Sequence, residues 1–186
     1  MKTTGVIRRI DELGRIVIPK EIRRNLGIRD GENIEIFTDE NSIILKKHSR
    51  LANAQEIIEK IGDLTNSVMN YSVIVTDREK VILALGNDVK ELNNKRISKD
   101  LIDLIDQRES KLDNQELNIL FNDYEKKGYF AICPIISSND SIGLIIIYNR
   151  NKLNNDEIKY SKLFAKLVGE KIDIAWLIYF FVLKYA

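Results

Sequence analysis

Residues 11–23 read DELGRIVIPKEIR, and the order of residue types in that stretch decides what surrounds it. Asp11, Glu12, Leu13 and Gly14 make a polar turn whose glycine is free to take positive φ. Residues 15–18 (Arg-Ile-Val-Ile) are dominated by β-branched side chains and read as a strand. Pro19 then occupies the first position of a helix, where a missing N–H is tolerated. The helix continues over residues 20–26 with Ile22 and Leu26 four apart, and Gly27 stops it. On the N-terminal side, residues 4–10 supply the strand that the turn folds back upon. On the C-terminal side, Asp30-Gly31 turns the chain, residues 33–38 alternate Ile34 and Ile36, and residues 42–47 close a second hairpin across the turn at residues 39–41.

Four short strands and a helix of about two turns enclose little. A unit below roughly 40–60 residues is marginal without a disulfide, a metal or a partner. The whole chain has one cysteine and one histidine among its 186 residues. An intramolecular disulfide is therefore impossible, and multi-thiolate zinc sites and most transition-metal centres are excluded. An obligate dimer is the expectation for residues 1–50.

Charge separates this head from the rest. The chain carries a net charge of +1, yet residues 1–29 hold eight Lys and Arg against three acidic residues, a net +5. Seven of the eleven arginines fall within the first 50 residues, against four of the eighteen lysines. Lysine serves for solubility; arginine offers a planar donor fork suited to phosphates and guanine edges. The ordinary role of any one such arginine is a surface ion pair, with Asp11, Glu12 and Glu21 as the near acids. The set exceeds what those acids can neutralise.

From residue 51 the pattern changes. Residues 51–70 place apolar side chains at Leu51, Ala54, Ile57, Ile58, Ile61, Leu64 and Val68, at helical spacing. Strands are expected at 71–76, 81–85, 117–121, 129–136 and 142–148, and helices at 97–105 and from Asp156 onward, with Asn154 or Asn155 as cap. The resulting order predicts an α+β module, a sheet flanked by helices. Residues 174–183 are ten successive apolar residues, about half of what a bilayer span needs. No membrane helix is expected. Charged residues precede any apolar run at the N-terminus, so a cytoplasmic protein is expected.

Candidates for catalysis are few. Cys133 precedes Pro134 inside an apolar strand and reads as a buried hydrophobe; His48 lies among Lys46, Lys47 and Arg50 and reads as a solvated linker residue. No glycine-rich phosphate loop is present in the sequence. No catalytic residue, metal or cofactor is assigned.

Residues 13–23, together with residues 5–10 (Gly-Val-Ile-Arg-Arg-Ile), resemble the N-terminal DNA-binding domain of the AbrB family of bacterial transition-state regulators. The layout through about residue 170 is similar to members joining such a head to a GAF-type sensor domain. The resemblance implies a DNA-binding domain over 1–50, formed as a swapped-hairpin β-barrel dimer, and a GAF-like domain over 51–186 with flanking oligomerisation helices. It implies a regulator of sporulation or stationary-phase genes, activating some and repressing others with loose sequence preference. Double-stranded DNA would be held by Arg8, Arg9, Arg15, Arg23 and Arg24, with Lys2 as an accessory contact. Helices over 51–70 and 156–183 would assemble a tetramer, and a small-molecule effector in the GAF-like domain is possible. Two other classes remain open: an antitoxin, since related heads serve toxin–antitoxin pairs, and a ligand-sensing module that only dimerises through its head.

Overall fold

A computed structural model describes residues 5–28, 30–31, 33–47, 50–113, 117–120 and 124–185, and within these every side chain except those of 52, 53, 113, 118, 124, 125 and 175–185. It divides into two compact units, residues 1–49 and 50–186.

In the first unit, helix α1 (Lys20–Asn25) begins after Pro19, which stands at the N-cap with ψ 146° rather than inside the helix. The stop is a Schellman arrangement. Gly27, at φ 63°, donates to Arg24 O at 3.2 Å, and Ile28 N donates to Arg23 O at 2.7 Å. Strands β1 (Ile34–Asp39) and β2 (Ser42–Lys47) pair antiparallel in the register Asp39↔Ser42, leaving Glu40 and Asn41 as the loop. Residues 5–10 and 15–18, expected as strands, form no ladder within the single chain. Only their turn is made: Asp11 N donates to Arg15 O at 3.1 Å, and Gly14, at φ 74°, donates to Asp11 O at 3.0 Å. No described residue of this unit is buried.

The second unit opens on a 3-10 turn (Arg50–Ala54) that leads into α2 (Gln55–Met69), where a continuous helix over 51–70 was expected. The chain continues through β3 (Ser72–Thr76), β4 (Val81–Leu85), α3 (Lys99–Gln107), β5 (Lys111–Asp113), β6 (Leu117–Leu120), β7 (Tyr124–Lys126), β8 (Tyr129–Ser137), β9 (Asp140–Asn149) and α4 (Asn155–Tyr185). Five strands form one antiparallel sheet in the order β4-β3-β9-β8-β5, and β6 pairs with β7 apart from it. Helix α3 starts two residues later than expected because Ser98 caps it, its Oγ accepting from Leu101 N at 3.2 Å.

Alternation along the strands divides the interior into two layers. Ile74, Phe130, Ile132, Leu144 and Ile146 meet Leu101 and Ile105 of α3 on one face. Val73, Val75, Cys133, Ile135 and Ile145 meet Ile58 of α2 and Phe164, Ala165 and Val168 of α4 on the other. Helix α4 reaches the sheet closely at Gly169, where a Cβ would lie 2.1 Å from Ile136 O. Asp173 of the same helix accepts from Ser137 Oγ at 2.7 Å and Ser138 Oγ at 2.9 Å, while Arg50 donates to Ser137 O at 3.3 Å. Among the described residues no helix is long and apolar enough to cross a membrane.

The start of α4 is fixed by Glu157. Its carboxylate accepts from Asn154 N at 2.6 Å and from the Tyr71 hydroxyl at 2.7 Å. Burial disfavours its charged form, but the bonds from Tyr71 and Asn154 outweigh this and hold its pKa below the usual glutamate value. A depressed folded-state pKa contributes stability that is full above the unfolded value, about 4.3, and is lost as pH falls through the lowered folded value. Glu157→Gln should therefore flatten the acid limb of a stability–pH curve measured by denaturant unfolding, and lower stability at neutral pH.

Candidate nucleic-acid interface

The five arginines expected to contact DNA all lie in the first unit, and the structure treats them differently. Arg8 and Arg9 lie in a segment without regular secondary structure and are exposed, as is Arg24 on α1. None of these three forms an ion pair among the described residues.

Arg15 is tied into its turn. Asp11 Oδ1 accepts from Leu13 N at 3.0 Å and Arg15 N at 2.8 Å, and Oδ2 accepts from Arg15 Nε at 2.8 Å. The Arg15 backbone and side-chain bonds together hold the Asp11 carboxyl below its ordinary value. Asp11 therefore closes the turn and aims the guanidinium, while the Arg15 side chain stays 72% exposed.

Arg23 is half-buried and bonded to Asp30 through Nη1. Its Nε is buried without a partner among the described residues. Asp30 reads in the sequence as a turn former, so only the fold shows that it returns to α1. A second contact missed by sequence reasoning is Lys47, whose ammonium donates to Gly27 O at 3.1 Å and ties the end of β2 to the end of α1. Leu26, expected to face inward opposite the arginines, is 56% exposed. Lys2, Arg29 and His48 lie outside the described residues.

The head thus presents cations on a surface that is also apolar. Ile7, Ile10, Leu13, Ile16, Val17, Ile36 and Ile43 are all exposed. Arg15 and Arg23 on this surface have carboxylate partners, whereas Arg8, Arg9 and Arg24 have none among the described residues.

Comparison with known proteins gives this arrangement its family. Residues 51–173 match the model described as "Stage V sporulation protein T C-terminal, transcription factor". Stage V sporulation protein T of Bacillus subtilis (strain 168) is 38% identical over 155 residues, covering 82% of this chain and 87% of the relative. The chain belongs to the stage V sporulation protein T family. Within that family frame, the head (residues 7–52) matches the model "Antidote-toxin recognition MazE, bacterial antitoxin". The transition state regulatory protein AbrB of the same organism is 35% identical over 94 residues, half of this chain and 97% of that protein. For the second unit, the crystal structure of the blue-light-absorbing form of the PixJ GAF domain from Thermosynechococcus elongatus superposes with a TM-score of 0.55 at 12% identity, covering 74% of this chain and 95% of that one. The fold of the stage V sporulation protein T family member described here is thus α+β, an AbrB-type head followed by a GAF-type sheet.

The Arg23–Asp30 pair competes with any phosphate for the same guanidinium. Exposed pairs of this kind are worth at most about 1 kcal/mol. Asp30→Asn should tighten DNA binding about two- to fivefold in a fluorescence anisotropy titration, and unchanged affinity would place Arg23 away from the DNA.

Proposed function

We infer that this protein is a DNA-binding transcription regulator of sporulation or stationary-phase genes, and that it works on the DNA through Arg8, Arg9, Arg15, Arg23 and Arg24. The regulator class follows from the family; the assignment of the arginines rests on one observation. The head carries a net +5 on residues 1–29 while Arg8, Arg9 and Arg24 remain exposed and without an acidic partner among the described residues. Guanidinium groups so placed favour phosphate contact and groove-shape readout over base-by-base recognition.

A dimer doubles this surface. Strand-forming residues 5–10 and 15–18 lack a ladder within one chain, and a second copy supplies both their hydrogen bonds and the apolar cover that the head lacks. Tetramer formation is supported by α2 and α4. Leu64 and Val68 of α2, and Leu163, Leu167 and Ile174 of α4, are exposed at spacings suited to a helix bundle. The protein would then act in the cytoplasm, on the nucleoid, activating some genes and repressing others. The antitoxin reading draws on the match of the head alone, and a small toxin co-purifying with the full chain would favour it.

Binding to double-stranded DNA should weaken steeply with salt, the log–log slope being about −0.9 per phosphate neutralised. Arg8→Ala and Arg24→Ala should each cut affinity and flatten that slope, whereas Lys111→Ala in the second unit should leave both unchanged. Gel shifts across a salt series check all three, and equal effects in head and second unit would overturn the assignment.

A further inference from the structure

A hollow of about 280 Å³ opens between the end of α3, strand β8 and helix α4. Its floor is apolar, with Pro134, Ile136 and Ala165, and Cys133 Sγ lies there 3.2 Å from Ser110 Oγ. Its rim is cationic: Arg108, Lys162 and Lys166 line it, and among the described residues no acidic side chain does. Lys166 is held only loosely by Glu170, at 3.8 Å. Arg108 and Lys162 form no ion pair among the described residues.

The topology leaves this place open. Strand β5 covers the edge of β8 only from Phe130 to Ile132, so β8 has no neighbouring strand on that side from Cys133 onward. Gly169 brings α4 down against Ile136, and the i, i+4 spacing of Lys162 and Lys166 sets both ammonium groups on the face that flanks the opening. Arg108 holds the left-handed C-cap of α3 at φ 58°, a position where Gly or Asn is the common choice. Burial pushes the Cys133 thiol up, with the Ser110 bond and the Lys162 charge acting in the opposite direction.

We propose that this hollow is a binding site for a small phosphorylated metabolite, its phosphate held by Arg108, Lys162 and Lys166 and its short carbon body resting on Pro134, Ile136 and Ala165. A phosphate monoester carries nearly two negative charges and three acceptor oxygens. Arg108 suits it as a planar fork, and the two lysines as point charges. The volume sits at the lower bound of small-molecule pockets, about 300 Å³, which suits a ligand of a few carbons and excludes a dinucleotide. The site lies at the edge of β8, between the end of α3 and helix α4, and all the residues that line it belong to the second unit.

Calorimetric titration of the full chain with glycerol 3-phosphate at physiological salt, with glycerol as control, tests this. One saturable site per chain with Kd below about 1 mM is expected, and none for glycerol. Lys162 and Lys166 are both exposed, so the double variant Lys162→Gln/Lys166→Gln should keep its circular dichroism spectrum. It should weaken binding by about tenfold or more, since each charge-assisted bond lost is worth roughly that factor. A head variant, Arg8→Gln/Arg24→Gln, should lose DNA yet bind the phosphate unchanged. Absence of binding, or binding lost with the head arginines and kept without the two lysines, would overturn the site.

Discussion

Apolar surface kept in water forgoes about 25 cal/mol for each Å² it would otherwise bury, and the head of this chain forgoes most of what it has. Ile7 is 90% exposed, Leu13 75% and Val17 72%. The same head carries hydrogen-bonding backbone over residues 5–10 and 15–18 with no ladder to join. The proposed dimer would remove both deficits by one act, the addition of a second copy. The proposed DNA contact would depend on it too, because arginines on a segment outside any ladder acquire fixed positions only when that segment becomes a strand.

The second unit is built on the opposite terms. Its sheet is covered on both faces, and Ile74, Phe130, Leu144 and Ile145 are fully buried. It has a core of its own, and most of its exposed large apolar side chains lie along α2 and α4. Under the proposed function this is a division of labour: the second unit would set how many heads are gathered, and the head would touch DNA. Polar ties at the start of the second unit, Arg50 to Asp140 and Ser137, and Asp173 to Ser137 and Ser138, hold the residue that follows the head against the β8–β9 turn.

Much of this was legible in the sequence where a single residue type carries a local rule. Gly27, expected to stop the first helix, ends α1 at φ 63°. Strands β3, β4, β8 and β9 followed from runs of Val and Ile. Strand β5 was missed because three residues with one apolar side chain, Leu112, show no alternation. The Arg23–Asp30 pair and the hollow beside Cys133 were missed for another reason. The pair spans seven residues across the stop of α1, a separation that no helix spacing rule covers, and the hollow joins residues as far apart as Arg108 and Lys162. The strands expected at 4–10 and 15–18 show the converse case. The residues have strand character, but a strand is defined by its neighbour, and one chain does not supply it.

Amide hydrogen exchange over residues 5–18 of the full-length protein tests this dependence most directly. If a second copy completes the head, the amides of Val6–Ile10 and Ile16–Ile18 should be strongly protected at concentrations where the protein is associated, and should lose protection on dilution while β8 and β9 keep theirs. Exchange at the rate of an unfolded chain at every concentration, in a protein that still binds DNA, would contradict the account.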